Sequence, residues 1–207
     1  MERVRARGVF AALAVGFLAL ILGTIADARI RTNPANDPRL IDKPLESSRY
    51  DNARKCVNDV PKGMVAFQKW LGRNVRGETW GIIRCESLGG ANMSVHSEGR
   101  AIDWHLDARN AGERRAAMNL IKTFIERDRN GNSTALARRM GVQGIIFDCQ
   151  AWWAGQTELG RYSYCYKDNG DRKDNLDPTQ AHVDHVHLEL NKPGARKRTS
   201  FWRSPVA

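Results

Sequence analysis

At 207 residues with a formal charge of +10, the chain is long enough for one domain with a full-sized core and too short for two comfortably. The positive balance draws the surface toward polyanions. Outside a cell those are wall polymers or lipid headgroups and inside it nucleic acid, so charge alone selects no partner.

In chain order, Arg3, Arg5 and Arg7 precede a nearly uninterrupted apolar run from Gly8 to Ala26, followed by Ala26-Asp27-Ala28. This is the layout of a secretory signal with cleavage after Ala28. The competing reading is an uncleaved anchor, since about 20 apolar residues also span a bilayer. Both leave the rest of the chain outside the cytoplasm, and removing residues 1–28 takes away three Arg, one Glu and one Asp, leaving +9. Residues 29–49 carry Pro34, Pro38 and Pro44 among polar side chains and read as a linker. The folded domain is expected over residues 50–195, and residues 196–207, with Arg196-Lys197-Arg198, read as a solvated basic tail.

Within that domain, Met64, Phe67, Trp70 and Leu71 recur at helical spacing over 63–74. A second stripe of Ala117, Leu120, Ile121, Phe124 and Ile125 predicts a helix over 111–127, capped by Asn110. Apolar stretches at 79–85, 101–106, 142–147 and 185–190 predict strands. The expected class is α+β, with a small, mainly antiparallel sheet flanked by helices in a single domain. Trp152, Trp153, Tyr162, Tyr164 and Tyr166 are expected partly in the core and partly as a groove wall, with Trp153 a candidate substrate contact. The Asp/Asn-rich stretch 168–177 lacks the glycine and terminal Glu of a calcium loop and reads as solvated. Of the cysteines Cys56, Cys85, Cys149 and Cys165, none forms a Cys-x-x-Cys pair. Disulfides are therefore favoured over a zinc knot, with Cys56 joined to Cys85 and Cys149 to Cys165 because each closes a short loop.

Four of the five histidines fall in two short segments with well-placed acids: Ser94-Val95-His96-Ser97-Glu98-Gly99-Arg100-Ala101-Ile102-Asp103 and His182-Val183-Asp184-His185-Val186-His187. Neutral imidazoles and a carboxylate converging from separate elements are what a divalent zinc ion takes. Strand alternation puts His185 and His187 on one face with Val186 toward the core. Three protein ligands from these segments with an open fourth position are the requirement of a catalytic zinc, and Asp184 is the candidate base. Glu98 and Arg100 are expected to face solvent, and His105 to be a hydrogen-bonded structural residue near Asp107.

These segments resemble the zinc D-Ala-D-Ala carboxypeptidases and L-Ala-D-Glu endopeptidases of the hedgehog/DD-peptidase fold. Their first motif, Ser-x-His-x-x-Gly-x-Ala-x-Asp, is matched at each fixed position by Ser94, His96, Gly99, Ala101 and Asp103. Their last zinc histidine, with an acid three residues earlier, is matched by His187 and Asp184, and the whole run looks like a carboxy-terminal peptidase domain of exported actinobacterial proteins. The likeness spans about 64–190. It departs from many members in having Asp184 for Glu and His185-Val186 before the last histidine. The resemblance implies an extracytoplasmic, monomeric enzyme with one zinc that hydrolyses a peptide bond in peptidoglycan stems. It would bind no nucleic acid and would touch the membrane only through an uncleaved amino terminus. It also implies His96, Asp103 and His187 as the zinc ligands, an oxyanion role for Arg84, proton handling or substrate holding by His182 or His185, and a substrate-side place for Ser94. The rival expectation is a zinc-containing wall-binding module of the same fold that does not cut.

Overall fold

The computed structural model describes residue 30 and residues 33–89 and 92–207; the expected signal segment, 1–28, lies outside the described residues. Among the described residues, eight strands and four α-helices form one α+β domain: α1 (Lys62–Asn74), β1 (Thr79–Gly81), β2 (Ser87–Gly89), β3 (Asn92–Met93), β4 (Ala101–His105), α2 (Ala111–Ile125), α3 (Ala135–Met140), β5 (Val142–Phe147), β6 (Gln150–Trp153), β7 (Gly160–Arg161), β8 (His185–Leu190) and α4 (Lys192–Ala195). Six strands make an antiparallel sheet in the order β1-β4-β8-β5-β6-β7, and β2 and β3 pair separately.

The period-two pattern of β4 and β8 sorts the two faces of the sheet. Ile102, Trp104, Val186, Leu188 and Leu190 enter the core with the apolar stripes of α1 and α2. Asp103, His185, His187 and Glu189 project from the opposite face and line a groove. Asn110 caps α2 by accepting from Gly112 N and Glu113 N, which satisfies donors that the first turn leaves unpaired.

Four expectations differ from the structure. The strand expected over 79–85 stops at Gly81 because the chain beyond it pairs with the turn at 95–98: Ile82 O meets the His96 ring and Arg84 O accepts from Ser97 Oγ. The expected linker is part of the body, since Ala35 and Leu40 are fully buried and Asn33 donates to Thr123 O and Glu126 Oε1. The expected tail is too. Arg196 to Arg198 are exposed, but Phe201 and Trp202 pack against Phe67 and Trp70, and Trp202 Nε1 donates to Met140 O. Finally, Glu98 and Arg100 are buried as an ion pair at 2.8 Å, with Arg100 also donating to Leu190 O and Asp51 O. These bonds satisfy an otherwise costly buried charge and tie the first motif to the end of β8. Trp202→Ala should lower unfolding stability by about 3–5 kcal/mol, the range for emptying a large aromatic site; chemical denaturation measures it, and a loss below about 1 kcal/mol would return this segment to a tail.

The disulfides join Cys56 to Cys85 and Cys149 to Cys165, a pattern that fits an oxidising, extracytoplasmic location. Among the described residues no helix is long and apolar enough to cross a membrane.

Candidate metal centre

Two features of local structure bring the donors together. Antiparallel pairing sets Asp103 of β4 directly opposite His187 of β8, so their side chains rise from the same face. His96 arrives from a short 3-10 turn, Val95–Glu98, whose start Ser94 caps by accepting from His96 N at 3.3 Å. The turn ends on Gly99 at φ 60°, and a Cβ there would lie 2.8 Å from Pro61 Cδ. Both the left-handed backbone and the close approach require glycine.

The three expected ligands converge. His96 Nε2 lies 3.1 Å from Asp103 Oδ1 and 3.2 Å from His187 Nδ1, and the last two atoms are 3.0 Å apart. All three residues are buried. Tetrahedral bonds of about 2.0–2.1 Å imply donor separations of about 3.3 Å, so this triangle fits one face of such a site. The donor chemistry, two imidazoles and a carboxylate, fits zinc.

The hydrogen bonds assign each ring a tautomer. His96 Nδ1 donates to Ile82 O at 2.7 Å, which leaves Nε2 as the donor atom toward the centre. His187 Nε2 donates to Glu189 Oε1 at 3.1 Å, which leaves Nδ1. His185 Nδ1 donates to Asp184 Oδ1 at 2.8 Å, and its Nε2 reaches to 3.5 Å from Asp103 Oδ1, beside the three donors. His182, at φ 53°, donates through Nδ1 to Gln180 O at 3.0 Å and closes the same side of the groove.

Burial alone would push the Asp103 carboxyl up, but its contacts with the His187 and His96 rings outweigh it and hold the group far below the usual carboxylate range. Burial likewise lowers His187, yet its bonds to Asp103 and Glu189 prevail and raise it to about 9. Burial lowers His185 despite the neighbouring Asp103 charge, and burial with the nearby His187 and His185 takes His182 down to about 2. Those two rings are therefore neutral bases.

The structure separates two candidates from their expected places. Asp184, buried, turns away from the donors: its carboxylate accepts from His185 Nδ1 and from Thr179 Oγ1 at 2.7 Å. Arg84 spends its guanidinium on Asp103 Oδ2 and on Glu86 Oε1, the latter at 3.0 Å. His105 donates to Asp184 O and stacks on Trp80 with ring centres 4.1 Å apart, apart from the donor triangle.

The centre opens on a groove of about 680 Å³. Tyr50, Trp153, Tyr162 and Tyr164 line it, as do Ser94 and His182, while Trp152 belongs to the core. Sequence reasoning missed Glu189, Gln143 and Tyr50. The signal for Glu189 was present: it follows His185 and His187 at period two on the same face.

A family model described as the VldE C-terminal domain matches residues 56–177, more than half of the chain. That span takes in the first motif and all four cysteines and ends before Asp184. No curated protein and no solved structure matches.

Proposed function

With the chain established as a member of the VldE C-terminal domain family, we propose that it is an extracytoplasmic zinc peptidase that hydrolyses a peptide bond in peptidoglycan stem peptides. The observation that carries the reading is the buried His96, Asp103 and His187 triangle, facing a groove and flanked by a neutral, oriented imidazole. The likeness of both motifs to the zinc D-Ala-D-Ala carboxypeptidases and L-Ala-D-Glu endopeptidases supplies the substrate class. A zinc ion held by these residues supplies a Lewis acid for the peptide carbonyl and acidifies water.

The remaining chemistry belongs to the chain. His185 is the proton acceptor, because its Nε2 carries the lone pair and faces the donors while Asp184 fixes the ring and stabilises the imidazolium that forms. Arg84 holds the outer oxygen of Asp103 and so leaves Oδ1 directed inward. Trp153, Tyr162 and Tyr164 wall the groove with apolar surface against which a peptide chain orients, and the His182 ring bounds it beside His185.

Purified protein incubated with muropeptides and zinc should release a new amine, and a chelator should abolish the reaction. Zinc binding with unchanged muropeptides would instead favour the non-cutting wall module.

Zinc uptake should also depend steeply on pH. Without metal, His187 holds a proton up to about pH 9, and the metal must displace it, so affinity should rise about tenfold per pH unit toward that value. The metal-free fold behaves oppositely. A raised imidazole pKa contributes stability that is full below about 6.5 and is lost as pH rises through about 9. The gain in Tm on adding zinc should therefore widen between pH 6 and 9; melts across that range check it, and a narrowing gain would contradict the assignment.

A further inference from the structure

Glu189 lies on the groove face of β8 with its carboxylate almost wholly enclosed, at 6% side-chain exposure. A carboxylate so buried is tolerated only when its oxygens are occupied. Two donors meet it, His187 Nε2 at 3.1 Å and Gln143 Nε2 at 3.2 Å, and the Tyr50 side chain lines the groove with it. The sheet is shaped around this group. Gly144 of β5 sits opposite Glu189, and a Cβ there would lie 2.7 Å from Glu189 Oε2 and 2.8 Å from Trp153 Cζ3. Gln143, fully buried, also clasps the chain next to Tyr50, accepting from Asp51 N at 2.9 Å and donating to Asp51 O at 3.2 Å.

We infer that Glu189 is a positioning residue for His187, held in place by Gln143 with Tyr50 beside it, and that Tyr50 thereby makes the segment ahead of α1 part of the metal centre. The inference rests on the zinc reading and deepens it. The two imidazole ligands are oriented by different means. His96 is held by a backbone carbonyl that no substitution of the accepting residue removes, whereas His187 depends on a side chain. A carboxylate behind a ligating imidazole fixes the ring and strengthens it as a donor. Tyr50 adds a link to the groove, since its ring meets Trp153 edge-on with centres 5.7 Å apart. Anything lying in the groove against these two rings touches the relay that holds His187.

The test is zinc affinity of the full chain, measured by competition with a chromophoric chelator, together with the visible spectrum of the cobalt-substituted protein. Native protein should bind one zinc tightly. Glu189→Gln keeps an oxygen acceptor but removes the charge, and should weaken binding by about 10- to 100-fold and shift the cobalt bands. Tyr50→Phe should move both readouts in the same direction by less. Gly144→Ala removes no polar group but crowds the carboxylate, and carries the test if Glu189→Gln does not fold. Folded Glu189→Gln or Gly144→Ala protein with native affinity and an unaltered cobalt spectrum would overturn the inference and leave the zinc reading standing. Native-like behaviour of Tyr50→Phe in both readouts would remove the role of Tyr50. Native protein that binds no zinc would overturn both.

Discussion

Zinc affinity should fall by about 10³-fold when His187 is replaced by alanine, so that the ion is lost during gel filtration in metal-free buffer. Structural zinc sites contribute about 10–16 kcal/mol of apparent binding energy, so losing one of three or four ligands weakens binding by about 10³-fold. The fold should survive, because the His187 side chain lies on the groove face of β8 while Val186 and Leu188 hold the strand to the core. His105→Ala is the matched control. It removes an imidazole from β4, opposite His185 and two residues beyond Asp103, but that ring serves Asp184 O and Trp80, so its zinc content should equal that of native protein. Metal analysis after gel filtration reads both variants. Zinc retained by His187→Ala, or lost from His105→Ala, would move the centre elsewhere.

His185→Ala should lower kcat about 10²- to 10⁴-fold with zinc retained, the range for removing a positioned proton acceptor. The ring is neutral because burial lowers it, its Nε2 lies 3.5 Å from a ligand oxygen, and its far side is fixed by Asp184. Asp184→Asn should also slow turnover, because the tautomer is no longer specified, but by less than His185→Ala. The order of the two effects is what discriminates. Were Asp184 itself the acceptor, its substitution would be the more damaging and His185→Ala would keep most of its rate. Steady-state kinetics on a muropeptide, with zinc content measured on the same samples, separates the two.

Much of the site is legible because metal chemistry and strand geometry both leave short-range marks. His96 and Asp103 are seven residues apart across one turn and one strand, and His185 and His187 alternate on β8, so spacing alone places them. The helices α1 and α2 follow from apolar periodicity in the same way. Other features depend on contacts distant in sequence. The Asp184 carboxylate and the His185 ring are adjacent in the chain, and only folding, which brings the Thr179 hydroxyl to Asp184 and His185 Nε2 to within 3.5 Å of Asp103 Oδ1, shows which of them faces the three donors. Glu98 and Arg100 look like surface charges until Leu190 O and Asp51 O arrive to accept from Arg100. The β5–β6 hairpin turns on Asp148 and Cys149, both at positive φ, without the glycine that usually marks such turns; the Cys149–Cys165 disulfide and bonds to His182 O and Ala181 O hold it. Composition misleads at both ends of the domain, where prolines and arginines surround Ala35, Leu40, Phe201 and Trp202, and those few apolar residues decide the packing.

X-ray absorption at the zinc edge of protein reconstituted with one equivalent of metal tests the central claim most directly. The account predicts about 2.0–2.1 Å bonds to two imidazole nitrogens and to oxygen, with the imidazole signal reduced by half in His96→Ala at millimolar protein and metal, where the weakened site still fills. Sulfur in the first coordination sphere, or a spectrum unchanged by that substitution, would contradict it.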